Sequence, residues 1–171
     1  VGREPIEINQ EALNHLLELL AHTYTHTVVD LPLSLHRPML QQVTSISNSI
    51  LVVITPDLPS LRRTERLLRF VGSLEGPDKI QLILNRSRKS DEITENDIAK
   101  ALNHPVSWKL GNDYYACMEA ISVGKPLLST SSKYLIKDFR EIARQLVGAE
   151  PEGKRKGLLN LMPKTSSSFF W

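Results

Sequence analysis

Apolar residues at the start of the chain recur every three or four positions, at Ile8, Leu13, Leu16, Leu17 and Leu20, with Asn9, Glu11 and Glu18 on the opposite side. That is the period of an amphipathic helix. The pattern then changes. Thr27-Val28-Val29-Asp30-Leu31-Pro32 is a short β-branched run closed by an acid and a proline, and it predicts a buried strand followed by a loop. Pro38 to Ser47 predicts a helix opening on its proline. Ile50–Ile54 predicts a second buried strand, stopped by Thr55-Pro56-Asp57. From Leu58 to Leu74 the helical period returns, with Leu61, Leu67, Leu68 and Val71 inward and four arginines outward. Ile80 to Leu84 predicts a third strand, ending at Asn85-Arg86. Thr94 caps a helix through Leu102, with Glu95 and Asp97 in its positive first turn. Val106 to Leu110 is a fourth, weaker strand. Tyr114 to Val123 is helical and closed by Gly124, and a last helix runs from about Tyr134 to Val147. Beyond Gly148 the composition turns to Pro, Gly, Lys and Ser, which divides the chain into a folded unit, 1–148, and a basic flexible tail, 149–171.

Strands alternating with long helices imply an α/β fold: a three-layer, mostly parallel sheet with helices on both faces. Ligands in such folds bind beyond the carboxyl ends of the strands. This directs attention to Asp30–Ser34, Thr55–Ser60, Asn85–Arg88 and Gly111–Asp113.

Charge sharpens the picture. The 171 residues carry 21 Lys and Arg against 19 Asp and Glu. Lys154, Arg155, Lys156 and Lys164 outweigh Glu150 and Glu152, so the preceding 149 residues, with 17 charges of each sign, are neutral. A neutral body with a short basic end is not the footprint of a nucleic-acid-binding surface. The lone Cys117 excludes a disulfide framework and a multi-cysteine metal site, and the chain reads as intracellular. The longest clean apolar run, Ile50 to Ile54, is far short of a membrane span. A first residue of Val rather than Met reads as a piece of a longer protein.

Two strand-end residues are candidates for chemistry. A carboxylate at the end of an apolar strand, as at Asp30, is costly unless it meets a metal, a water or backbone donors. Asp30 therefore reads either as a holder of a Mg²⁺ water shell or as a cap of the loop that follows. Asn85 carries a donor and an acceptor, suited to a purine edge or to satisfying a strand-to-loop turn. A phosphate cradle is missing. Gly124-Lys125-Pro126 is the nearest approach to a P-loop, but Glu119 stands at the first glycine and Pro126 at the hydroxyl position. Arg86, Arg88 and Lys89 cluster after the third strand, as a polar loop or as an attraction for phosphate. Arg62, Arg66 and Arg69 line one helix face, which is a solvated face, a partner or dimer surface, or a weak DNA contact. His22 and His26 have the spacing of a helical zinc pair but no third ligand, so zinc is not expected. The segment from Lys154 to Met162 is basic and then apolar, enough for weak contact with a membrane edge or a partner. Nothing in the sequence accounts for the terminal Phe169-Phe170-Trp171.

Taken together, these motifs resemble a family. His26 to Pro32 looks like the Walker B and switch segment of the MinD/ParA-type ATPases. Asp30-Leu31-Pro32, with Ile54-Thr55-Pro56-Asp57-Leu58-Pro59-Ser60-Leu61-Arg62, is most similar to the CpaE/TadZ branch, the pilus assembly ATPases of the Flp/Tad secretion system. Leu84-Asn85-Arg86, Asn112-Asp113 and Ala120 to Leu127 match later segments of that family in order and spacing, so the resemblance runs from about Glu11 to Val147. The chain departs from the pattern at Leu33, where the switch usually has a small residue, and at Gly111, where Pro is usual. The first departure argues against fast MinD-like hydrolysis.

The resemblance implies a MinD/ParA-like P-loop NTPase fold, incomplete at its N-terminal side, with the P-loop strand outside this chain. It implies that Asp30 holds the Mg²⁺ water shell, that Asn85 reads adenine with Arg86 beside it, and that Asp113 lines the nucleotide edge. It implies ATP and Mg²⁺ as cofactors of the whole protein, with this chain inactive alone for want of a Walker A motif. A homodimer, pilus or secretion partners, and a cytoplasmic place at the inner membrane face or the cell pole are implied as well. Two other readings stand beside this one: a non-hydrolysing scaffold of the same fold, and a ParA-type partitioning ATPase. The family's sheet order would leave strand Ile50–Ile54 with an unpaired edge in the chain by itself.

Overall fold

The computed structural model describes residues 9–32, 37–75, 77–129 and 132–148. The expectations for Leu33 and for the tail at 149–171 lie outside those residues.

Helix α1 spans Gln10–Thr23 and is capped by Asn9, whose side chain accepts from the Glu11 amide at 2.9 Å. Helix α2, Arg37–Ile46, carries Pro38 in its first turn, where a missing N–H costs nothing. Strand β1 is Ile50–Ile54 and helix α3 is Leu58–Glu75. Strand β2 runs Ile80–Ser87. Helix α4, Glu95–Leu102, begins in a capping box in which Thr94 and Asp97 satisfy each other's amides, and it ends on Asn103 in the left-handed region. Strand β3 is Val106–Gly111. Helix α5, Tyr114–Val123, runs from an Asp113 cap to Gly124 at φ 64°, and helix α6 is Lys133–Leu146.

The three strands form a parallel sheet in the order β1-β2-β3. Alternation along the strands sends side chains to two cores. Val52, Ile54, Leu82 and Leu84 face α3 and α4, where they meet Leu61, Val71, Ile98 and Leu102. Ile83 and Leu110 face the other side, with Leu135 and Ile142 of α6 and a half-buried Cys117 from α5. Helices therefore lie on both faces of the sheet, as the alternating pattern predicts, but no described helix covers the second face over β1. The packing is tightest at β2: Leu82 and Leu84 are 0% and 2% exposed because β2 has a strand on each side and helices above and below.

Two expectations are corrected. The predicted strand at Thr27–Pro32 is not a strand. Val28 is 94% exposed, Val29 is 41% exposed, and Asp30 is exposed as well. The β-branched run favours an extended backbone, but a strand exists only where a neighbour completes its hydrogen-bond ladder, and no described strand lies beside this segment. The third strand does not end at Asn85. It continues to Ser87 through an irregularity in its pairing with β3 between Leu84 and Ser87, where Arg86 takes φ 57°.

The outer edge of β1 is unpaired among the described residues, and Leu51 and Val53 beside it are 38% and 59% exposed. No described helix is long and apolar enough to cross a membrane.

Candidate functional site

Because the strands are parallel, their carboxyl ends open onto one edge of the sheet. Three of the four segments selected by the sequence meet there: the turn after β1, the end of β2 and the turn after β3.

The turn after β1 is tied down by its own polar groups. The Thr55 hydroxyl donates to the Asp57 carboxylate, whose other oxygen accepts from the Ser60 amide at 2.8 Å, while Ser60 Oγ accepts from the Thr55 amide at 3.0 Å. The Thr55 hydroxyl and then the Ser60 amide hold the Asp57 carboxyl below its usual value of 3.8, with Arg63 adding to the effect.

At the end of β2, Asn85 Oδ1 accepts from the amide of Arg86 at 2.9 Å. This bond supports the left-handed backbone at Arg86, which a β-carbon disfavours. Asn85 itself is half-buried. Arg88 then bridges to the turn after β3. With the Asn112 amide oriented oxygen-first, that oxygen accepts from Arg88 Nε at 2.9 Å and Nη2 at 2.7 Å. The Asn112 amide donates to the Ser87 carbonyl at 3.2 Å, and the Arg88 amide donates to Asp91 at 2.6 Å. The ends of β2 and β3 are thus locked together by backbone and side chain.

Asp113 caps α5 by accepting from the Ala116 amide at 3.1 Å. Ser132 first, then the Ala116 amide and the Tyr134 hydroxyl, hold its carboxyl below 3.8, although the buried Ser132 Oγ forms no hydrogen bond of good geometry with a described residue and the Ala116 amide is the firm contact. Asp113 in turn pushes the Tyr134 phenol above its usual value. The Tyr134 ring also lies over Gly111, 3.4 Å from where a β-carbon there would sit. Tyr114 and Tyr115, 62% and 84% exposed with their rings edge to face, stand at the start of α5 beside the same edge.

Asn85, Arg86, Arg88, Asn112 and Asp113 therefore come from two adjoining strand ends. Asp30 does not join them: it is exposed and bonded to no described residue. Pattern reading missed the Arg88–Asn112 link and the part played by Tyr134. Strand-end position was the signal for the residues, but it cannot say which ends face each other.

The amide of Asn85 and the guanidinium of Arg88 fit the polar edge of a purine base. An exposed, unbonded Asp30 fits a water shell around Mg²⁺, which takes one or two carboxylates beside phosphate oxygens. No group of three His, Cys, Asp or Glu side chains among the described residues is placed to hold an ion directly.

Solved structures with the same arrangement point in one direction. A ParA family ATPase from Chlorobium tepidum superposes with a TM-score of 0.74 and 29% identity, over 82% of this chain and 58% of that one. The fold is of the MinD/ParA type. The MinD cell division protein of Aquifex aeolicus superposes at 0.70 with 20% identity, over 86% of this chain and 64% of that one. A chain of the MinC:MinD cell division protein complex of the same organism gives 0.71 and 19%, over 84% of this chain and 61% of that one. This chain thus spans about three-fifths of the length of the MinD/ParA structures it matches. No protein-family model and no curated protein matches it.

Proposed function

We propose that this chain is the base-binding side of an ATP-dependent MinD/ParA-like switch protein, and that the switch serves Flp/Tad pilus assembly. The observation that supports the nucleotide reading is the junction of two strand ends: Asn85 and the Arg88–Asn112 pair share one edge of a MinD/ParA-type sheet. In this reading Asn85 reads the adenine edge, Arg86 stands beside it, and Asp113 fixes the α5 end of the site. Asp30 is turned to the water shell of Mg²⁺. The phosphates are held by a P-loop contributed from outside these 171 residues, since no Gly-rich phosphate cradle occurs within them.

The pilus assignment rests on the Asp30-Leu31-Pro32 and Ile54-Thr55-Pro56-Asp57 segments, which resemble the CpaE/TadZ branch. In this reading the whole protein dimerises with ATP and meets pilus or secretion proteins, near the inner membrane face or at the pole.

The test is calorimetry and phosphate release on the intact natural protein and on its Asn85→Ala variant. ATP binding lost in the variant, with an unchanged melting temperature, is the expected result. Equal binding by both removes Asn85 from the site. A protein that binds its pilus partners yet never releases phosphate is the scaffold rather than the switch.

A further inference from the structure

Helix α3 carries a second feature that the nucleotide reading does not use. Pro59, Arg62, Arg63 and Arg66 fall at helical spacing on one face, and together with Leu58 they line a shallow hollow of about 440 Å³. All three arginines are exposed, and Leu58 is 61% exposed. Arg62 and Arg66 are four residues apart, so their like charges face each other across one turn and repel.

The neighbouring carboxylates do not relieve this. Glu65 is taken by Arg69 at 2.6 Å, on the next turn. Asp57 is held by Thr55 and Ser60, and Arg63 acts on it only as the weakest of the influences on its carboxyl. None of Arg62, Arg63 and Arg66 makes an ion pair with a described residue. Helix α6 shows the contrast. Its cations Lys137 and Arg140 alternate with Asp138 and Glu141, so that face is mixed rather than one-signed.

We infer that this face of α3 docks an acidic, amphipathic peptide segment of a partner protein, its carboxylates on Arg62, Arg63 and Arg66 and an apolar side chain over Leu58 and Pro59. Charge complementarity selects the acidic partner. Guanidinium forks accept carboxylates in pairs, which a peptide with acids at helical spacing supplies. The apolar floor selects a peptide over a nucleic acid, whose backbone offers nothing to cover Leu58. The neutral charge of the first 149 residues agrees, because a DNA surface draws on a wider basic field.

The experiment uses the intact natural protein and a fluorescein-labelled amphipathic peptide of Glu and Leu, with a Gln-for-Glu peptide as control. Fluorescence anisotropy is measured for the wild type, for Arg62→Glu/Arg66→Glu, and for Lys137→Glu/Arg140→Glu on α6. The expected result is saturable binding of the acidic peptide only. It weakens about tenfold or more in the α3 variant, stays within about twofold in the α6 variant, and declines with added salt. Melting temperatures of the variants, read by circular dichroism, stay level because the exchanged side chains are exposed. Equal loss in both variants overturns the inference, since binding is then diffuse electrostatics. Failure of the acidic peptide to outbind the control overturns it too. So does α3-dependent binding to duplex DNA or phosphatidylglycerol vesicles that exceeds binding to the peptide.

Discussion

The guanidinium of Arg88 holds the side-chain oxygen of Asn112 through two hydrogen bonds of 2.7 and 2.9 Å, joining the loop after β2 to the loop after β3. A forked contact of this kind fixes direction as well as distance. Removing it in Arg88→Ala is expected to cost about 1 kcal/mol of stability. Under the proposed function it also weakens ATP binding by the intact protein. Arg88→Lys does not restore the binding, because an ammonium cannot reproduce the fork. Urea denaturation and calorimetry on the two variants check this, and full rescue by lysine would refute the positioning role.

Arg86 is the second testable point on this edge. Its φ of 57° is costly for a residue with a β-carbon. Arg86→Gly relieves that cost and is expected to raise stability by about 0.5–1 kcal/mol, after the greater chain entropy of glycine is set against it. If the arginine stands beside the base, the same change lowers ATP affinity. A more stable variant with weaker binding is the expected pair of results, from chemical denaturation and calorimetry. Unchanged affinity would take Arg86 out of the site.

Acid should loosen the fold through its capping carboxylates. Asp57, Asp97 and Asp113 are all held below 3.8: Asp57 by the Thr55 hydroxyl and Ser60 amide, Asp97 by the Thr94 hydroxyl and amide, and Asp113 by Ser132, Ala116 and Tyr134. A carboxyl lowered in the folded state stabilises fully above its unfolded pKa, and that contribution disappears as pH falls through the folded value. Melting temperature is therefore expected to be flat near neutral pH and to drop below about pH 4. Asp97→Asn makes the drop shallower. At pH 7, Thr94→Ala is expected to cost about 1 kcal/mol through loss of the α4 cap.

Packing separates two apolar positions that look alike in sequence. Leu82 is 0% exposed and Val28 is 94% exposed. Leu82→Ala is expected to cost roughly 2–5 kcal/mol by leaving a cavity between β2 and its helices. In the 171-residue chain, Val28→Asp is expected to change the unfolding midpoint hardly at all. In the intact natural protein the same substitution becomes strongly destabilising if residues 27–31 enter a sheet there. Melting of both forms decides it, and tolerance of the aspartate in the intact protein would mean that the segment stays outside the sheet.

Asp30 gives the most direct test of the catalytic proposal. Its exposure predicts that Asp30→Ala leaves the melting temperature unchanged. The proposed function predicts that Mg²⁺-dependent ATP hydrolysis by the intact protein is lost. Phosphate release at wild-type rate would remove Asp30 from the reaction.

Much of the architecture was legible from local patterns. The Thr94 cap, with Glu95 and Asp97 in the first turn, marked the start of α4, Gly124 marked the end of α5, and the run Ile50–Ile54 marked β1. Strand-end position also singled out Asn85 and Asp113. The failures share one cause. Thr27–Pro32 has strand composition but no adjacent strand, and the extension of β2 to Ser87 depends on where β3 offers partners. The Arg88–Asn112 contact joins residues from separate strands that only the sheet brings together.

The sequence by itself determined the elements whose causes are local: helical periodicity, caps, glycine stops and the preference of Val and Ile for extended backbone. It also determined where charge lies along the chain. Tertiary structure alone decided which extended segments became strands, which arginines found partners, and which polar ends share an edge. Hydrogen-bond ladders and burial need a second segment, and a chain read in one dimension does not say which segment that is.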